Sequence, residues 1–351
     1  MQTNHLLTYR NFIILFALFL SFGLLSACAA DDNDDEADND DSETLTLYNG
    51  QHKDATTALI DAFEDKTDIE VEERDGSSNE LAHQITEEGD QSPADLIYTE
   101  ESSPLIMLTE EGLLSEIDED ALESIPSEYQ DSKNNWTGIL ARSRVVAYNQ
   151  EMIKEHDLPD SVLDFAKPEW DGKFAFVPTS GAFQMQLSAL IKLEGKETAK
   201  EWLEGLKEHG KIYKDNVAAL EAVENGEIEL GLINNYYWDR KAKEEGEENL
   251  DSRLYFFGTH DIGDMLTVAS MGILESSSHK EEAQQFIEFA TSEEGQQILT
   301  DESSQYPLND KADTEGLKPF SELTPPEGTL DLGEYSNGDE AEQLLQDVGL
   351  L

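Results

Sequence analysis

The 351-residue chain has a single cysteine, Cys28. It therefore forms no internal disulfide, and cysteine metal sites and thiol catalysis are excluded from the remainder. Basic residues are also scarce, 23 Lys and Arg against 78 Asp and Glu, for a formal net charge of −55. An acidic excess of that size argues against binding nucleic acid or an anionic membrane face, because both would be repelled; a membrane would be reached through a lipid anchor. The acids lie mostly on helix faces and in loops. A solvated surface suited to salty or alkaline surroundings accounts for them more simply than cation storage. Hydrolytic motifs are missing as well. There is no Gly-x-Ser-x-Gly elbow and no His-Glu-x-x-His, and the seven histidines are scattered, which reads against an enzyme.

Near the N-terminus the apolar run Phe12–Leu20 follows Arg10, and residues 1–27 read as a secretory signal peptide. The segment closes on Leu25-Ser26-Ala27-Cys28, which resembles a lipobox in which cleavage leaves Cys28 as a lipidated N-terminus. An uncleaved membrane anchor fits less well with so short a run and small residues before the cysteine. Residues 28–43 are mostly Asp, Glu, Asn, Ala and Ser, a self-repelling stretch that reads as a solvated acidic tether. The expected location is outside the cytoplasm, lipid-anchored on the outer face of the cytoplasmic membrane or in the periplasm.

Residues 44–351 exceed one typical core, so two lobes are expected. Thr44–Tyr48 reads as a strand, Asn49-Gly50-Gln51-His52 as a turn and Lys53–Asp65 as a helix. A strand at Ile69–Glu73 follows, then a capping box at Ser77-Ser78-Asn79-Glu80, a strand at Ala94–Thr99 and a helix opened by Pro104. Later come a strand at Lys173–Val177, a helix at Gln184–Lys192, an N-cap at Asp215-Asn216 and a strand at Ile228–Ile233. Alternating strands and helices indicate α/β lobes with mainly parallel sheets, whose ligands sit beyond the carboxyl ends of the strands.

Polar residues cluster at such strand exits. Asn234-Asn235-Tyr236-Tyr237-Trp238 follows the strand at Ile228, placing two neighbouring phenols near water. One ring packing inward and the other covering a helix start is one account. A hard-cation site is the other, because phenolate is a small, charged oxygen donor suited to a trivalent ion. His52 after the first strand and Glu100 after the third converge with Tyr236 and Tyr237, and neutral His, one carboxylate and two phenolates carry three negative charges. His52 as a solvated turn residue and Glu100 as a helix-terminus acid remain the plain alternatives. Thr179-Ser180-Gly181-Ala182 is a small-residue turn at a helix start, whose unpaired N–H groups suit an anion or an ordinary N-cap. Asn216 and Asn234 could donate to the same anion, which would fill the two positions left open on an octahedral ion.

Tyr48-Asn49-Gly50-Gln51-His52, Pro93-Ala94-Asp95, Tyr98-Thr99-Glu100, Ser143-Arg144-Val145-Val146, Thr179-Ser180-Gly181-Ala182-Phe183, Ala222-Val223-Glu224-Asn225-Gly226-Glu227 and Asn234-Asn235-Tyr236-Tyr237-Trp238 together resemble the bacterial ferric-ion-binding proteins of ABC importers, from about Thr44 to the C-terminus. The resemblance implies a two-lobed periplasmic-binding-protein fold, each lobe a mainly parallel sheet flanked by helices, with the ligand cleft between them. Residues 44–142 with about 268–318 would form one lobe, and about 143–267 with 319–351 the other. It implies Fe(III) held by His52, Glu100, Tyr236 and Tyr237. A synergistic anion such as phosphate or carbonate would be held by Ser180, Gly181, Ala182, Asn216 and Asn234. The implied partners are an ABC permease and its ATPase, served by a monomer. The lipobox and acidic tether differ from a freely soluble form. Glu101 stands where an uncharged amide is expected, and a further negative charge there would weaken anion binding. A small organic ion, or chelated iron without direct protein ligation, would keep the fold and change the cargo.

Overall fold

Leu45 and Leu47 of the first strand, β1 (Thr44–Asn49), pack into one apolar cluster and Tyr48 into another, the period-two signature of a strand buried on both faces. The chain continues through α1 (Lys53–Glu64), edge strand β2 (Glu70–Asp75), α2 (Ser78–Glu88), β3 (Leu96–Thr99), α3 (Ser103–Glu110), β4 (Leu114–Ser115) and α4 (Glu119–Leu122). The 14-residue β5 (Trp136–Asn149), buried along its whole length, leads into β6 (Phe174–Phe176), α5 (Gly181–Glu194), α6 (Lys196–His209), β7 (Lys211–Ile212), α7 (Asn216–Glu224), β8 (Leu230–Asn234), α8 (Asn235–Glu245) and β9 (Ser252–Tyr255). Then come β10 (Leu266–Leu274), α9 (Lys280–Thr291), α10 (Glu293–Ser303), β11 (Tyr306–Pro307) and α11 (Gly338–Val348). This computed structural model describes residues 44–314, 316–326 and 338–351, the side chains of 338 and 339 excepted. The expected signal peptide, Cys28 and the acidic tether lie outside the described residues. Among the described residues no helix is long and apolar enough to cross a membrane.

The strands follow the path β2-β1-β3-β10-β5-β8-β6-β7, with β4 added on β10, and β9 and β11 on β5. Both lobes of the expected α/β fold are present. Each has a parallel set, β2-β1-β3 in one and β8-β6-β7 in the other, while β10 and β5 enter antiparallel. The join lies within one strand. Trp136–Ser143 of β5 pair with β10, and Arg144–Tyr148 pair with β8.

Each sheet is covered on both sides. In the first, Leu47, Leu59, Phe63 and Phe286 fill one face and Ile97, Leu105, Trp136 and Tyr306 the other. In the second, Phe174 and Phe176 pack with Phe183, Trp202 and Leu344, while Ala175 and Val177 face Ala219 and Ile233. The strand expected at Ile69–Glu73 runs instead from Glu70 to Asp75, because its parallel register on β1 spans the Thr44–Glu70 to Asn49–Asp75 pairs. The helix expected from Gln184 begins at Gly181, so the small-residue turn is already its first turn.

Candidate metal and anion site

Beyond the carboxyl ends of β1, β3, β6, β7 and β8 lies a cavity of about 260 Å³, and all nine residues expected to form a metal and anion site line it. Val177, Thr179 and Asp215 line it too, and so do two residues the sequence did not single out, Arg142 and Lys214. Arg142 carried one readable signal, since it and Arg144 are charges within an apolar stretch of a cation-poor chain.

The β1–α1 turn is set by its own side chains. Asn49 Oδ1 accepts from the Gln51 amide at 2.9 Å and from the Thr56 hydroxyl at 3.2 Å, and Gln51 Oε1 accepts from the His52 amide at 2.9 Å. These bonds present the imidazole to the cavity. Burial lowers the His52 pKa, opposed by Glu100 and reinforced by Arg142 and Arg240, so the ring is neutral at neutral pH with a lone pair to offer.

Glu100 is fixed through its backbone, whose N–H donates to Ser78 Oγ at 3.0 Å. Its carboxylate is 3.7 Å from Arg142 Nη2, and the same nitrogen is 3.7 Å from the Glu101 carboxylate. Burial raises the Glu101 pKa to about 7, against the pull of Arg142.

Tyr236 and Tyr237 occupy the first turn of α8. Their ring centroids are 4.2 Å apart, and the Tyr236 ring meets His52 edge-on at 5.3 Å. Tyr236 is 3% exposed, and burial beside Tyr237 pushes its phenol well above the ordinary value. It is a neutral O–H unless a cation displaces the proton. The turn is anchored from behind, where Asn235 Oδ1 accepts from the Ser143 amide and Asn235 Nδ2 donates to Asp239, each at 2.8 Å. Asn234 Oδ1 accepts from the Arg144 guanidinium at 2.9 Å, which leaves its Nδ2 as the donor. Arg144 is fully buried, and desolvation lowers its pKa to about 10, still protonated at neutral pH.

Opposite these groups, Ser180 holds the N-cap position of α5 without a side-chain capping bond, so it is not an ordinary cap. The first amides of the helix, including Gly181 and Ala182, have no carbonyl of their own helix to pair with. Asn216 Nδ2 donates to Ser180 Oγ at 3.4 Å, and Asp215 caps α7 by accepting from the Ala218 amide at 2.7 Å. Among the described residues no group of three or more His, Cys, Asp and Glu is placed to hold a metal ion.

The model of a family described as bacterial extracellular solute-binding protein matches residues 91–325. The chain is 41% identical over 312 residues to the major ferric iron-binding protein of Neisseria meningitidis, covering 87% of this chain and 93% of that one. It is 32% identical over 341 residues to the Fe(3+)-binding periplasmic protein of Serratia marcescens, covering 97% and 96%. Iron-bound HitA from Pseudomonas aeruginosa aligns with a TM-score of 0.82 at 50% identity, over 88% of this chain and 99% of that one.

Proposed function

Because this chain belongs to the bacterial extracellular solute-binding proteins, we propose that it captures Fe(III) outside the cytoplasm and delivers it to an ABC importer. Its role is binding rather than catalysis. The observation that carries the reading is the pair of adjacent phenols, Tyr236 and Tyr237, facing one cavity with His52 and Glu100. A carboxylate alone serves Ca²⁺ or Mg²⁺ as readily, whereas two phenolates add charge and electron density that favour a trivalent ion. The ferric names of the relatives in Neisseria and Serratia, and the iron in the Pseudomonas neighbour, support the same cargo.

In this reading His52, Glu100, Tyr236 and Tyr237 are the ligands. Two positions of an octahedral ion remain for an anion such as phosphate or carbonate, held by Ser180, the Gly181 and Ala182 amides, Asn216 and Asn234. Residues 44–142 with about 268–318 form one lobe and about 143–267 with 319–351 the other, and the cleft between them closes on the ion. The protein acts as a monomer on an ABC permease with its ATPase. Cys28 carries the lipid and residues 28–43 the tether, so Cys28→Ala should move the protein from the membrane to the soluble fraction. If that variant stays wholly with membranes, the anchor is elsewhere.

The central test is a titration of ferric citrate into wild type and Tyr237→Phe, read by the phenolate-to-iron charge-transfer band. The variant keeps the ring and loses the donor oxygen, so it should fold normally and bind iron at least tenfold more weakly with a weakened or shifted band. Protons compete for both phenolic oxygens, so wild-type affinity should fall as pH drops. Equal ferric binding by wild type and variant returns the pair to a packing role.

A further inference from the structure

Asn235, Asp239 and Lys243 recur every four residues along α8, so they share one face of the helix. That face is turned toward the first lobe. Asn235 accepts from the amide of Ser143, a residue still paired with β10. Asp239 and Lys243 line a cavity of about 590 Å³ whose far side is formed in part by Gln297, Thr300 and Asp301 of α10. α10 belongs to the first lobe, where Leu299 joins the cluster around Leu59 and Phe63. α8 belongs to the second, where Trp238 packs with Ala219 and Ile233. Lys243 crosses the gap between the two helices. Its Nζ donates to the Asp301 carbonyl at 2.8 Å and lies 3.6 Å from the Asp301 carboxylate. Lys241, two residues earlier, pairs instead with Glu221 on α7 of its own lobe.

The Asp301 carbonyl lies in the last turn of α10, where carbonyls lack a partner within the helix and the negative end of its dipole sits. The helix places no basic residue of its own there. A cation supplied from the other lobe thus meets an orphan carbonyl and a carboxylate at once, in a chain with only 23 basic residues to place. The same α8 carries Tyr236 and Tyr237 in its first turn, and the Tyr236 ring lies 5.3 Å from that of His52 on the first lobe. A contact favours one conformation by the difference in its free energy between the two, and opening the lobes moves α8 against α10. We propose that Lys243 is a positioning residue for the phenols: its bridge to the C-terminus of α10 holds the tyrosine-bearing helix against the first lobe and slows release of the bound ion. The inference deepens the ferric reading and rests on it. Lys243 does not line the cavity of the ligands, so it acts on how long the lobes stay together rather than on the ligand set.

The test follows the charge-transfer band of iron-loaded full-length protein after excess EDTA is added. The Lys243 side chain is 57% exposed, so replacing it leaves the core intact. Lys243→Met keeps the length and removes the charge, and it should release iron about threefold faster than wild type with the band unchanged in position. Lys243→Arg, which keeps the charge and the donor, should release at the wild-type rate. Lys243→Glu should be faster than Lys243→Met, and adding Asp301→Lys to it should recover part of the loss. Equal release by wild type and Lys243→Met overturns the proposal, as does release from Lys243→Arg as fast as from Lys243→Met. A lowered unfolding temperature with an unaltered release rate assigns Lys243 a merely structural role and overturns it too. A wild type without the band sinks the ferric reading and this inference with it, whereas an intact band with an unchanged release rate sinks only the bridge.

Discussion

Asp264 shows how far burial can move a single acid in this chain. It is 3% exposed and accepts from the Phe257 amide at 2.9 Å and the Gly258 amide at 2.7 Å. Burial still raises its pKa to about 7, with Asp261 adding to the rise and Lys318 opposing it. Desolvation outweighs two good hydrogen bonds. The native state thus keeps a proton that the unfolded chain gives up near the ordinary carboxylate value. Stability from this residue is full at acid pH and falls as pH rises toward about 7, by at most about 1.4 kcal/mol per pH unit. Urea unfolding of wild type and Asp264→Asn from about pH 5 to about 8 checks this. The variant should lose that component of the slope, and because an amide cannot accept on both sides it should be about 1 kcal/mol weaker at the acid end. Parallel pH profiles would show that Asp264 is ionised in the fold throughout.

At the level of elements, the loops carrying His52 and Glu100 are tied together through Gly50 and the start of α2. A Cβ on Gly50 would fall 2.6 Å from Ser78 Oγ and 2.9 Å from Ser78 Cα, and Ser78 Oγ is the acceptor for the Glu100 amide. Gly50→Ala therefore pushes on α2 and on the Glu100 loop at once. Such overpacking costs about 1–3 kcal/mol, more than the few tenths that a less flexible turn returns. Thermal unfolding should show the loss, and the ferric titration should weaken as well. A variant with unchanged iron affinity would mean the two loops move independently. The local parts of this site were legible in the chain, because turns and caps are short-range. Ser77 caps α2 by accepting from the Glu80 amide, and Asp215 caps α7, both as their sequence patterns indicate. The phenols could be placed because an apolar strand ends just before them. Arg142 could not, since it sits inside β5, where neighbours in sequence say nothing of the carboxylates delivered from β3. The antiparallel entry of β10 was hidden for the same reason, as its partners Tyr98 and Thr99 lie far back in the chain.

For the molecule as a whole, the decisive feature is that β5 belongs to both lobes. The second lobe draws its sheet from a contiguous stretch, Arg144–Tyr255, whereas the first waits for β10 and β11 to return to strands made much earlier. That difference sets an order in time. The Arg144–Asn234 bond that spans the second sheet joins residues 90 apart, and the Thr99–Ser270 bond that spans the first joins residues 171 apart. Closing the longer loop, close to one doubling, costs about 0.6 kcal/mol more, which slows it only about threefold. Refolding followed by pulsed hydrogen exchange should therefore protect the amides of β6 and β8 a few-fold sooner than those of β3 and β10. Simultaneous protection would mean that the two sheets form as one cooperative unit. With the lag present, the half bearing the tyrosines exists first as an open shelf, and His52 and Glu100 join it only when the last third of the chain has come home.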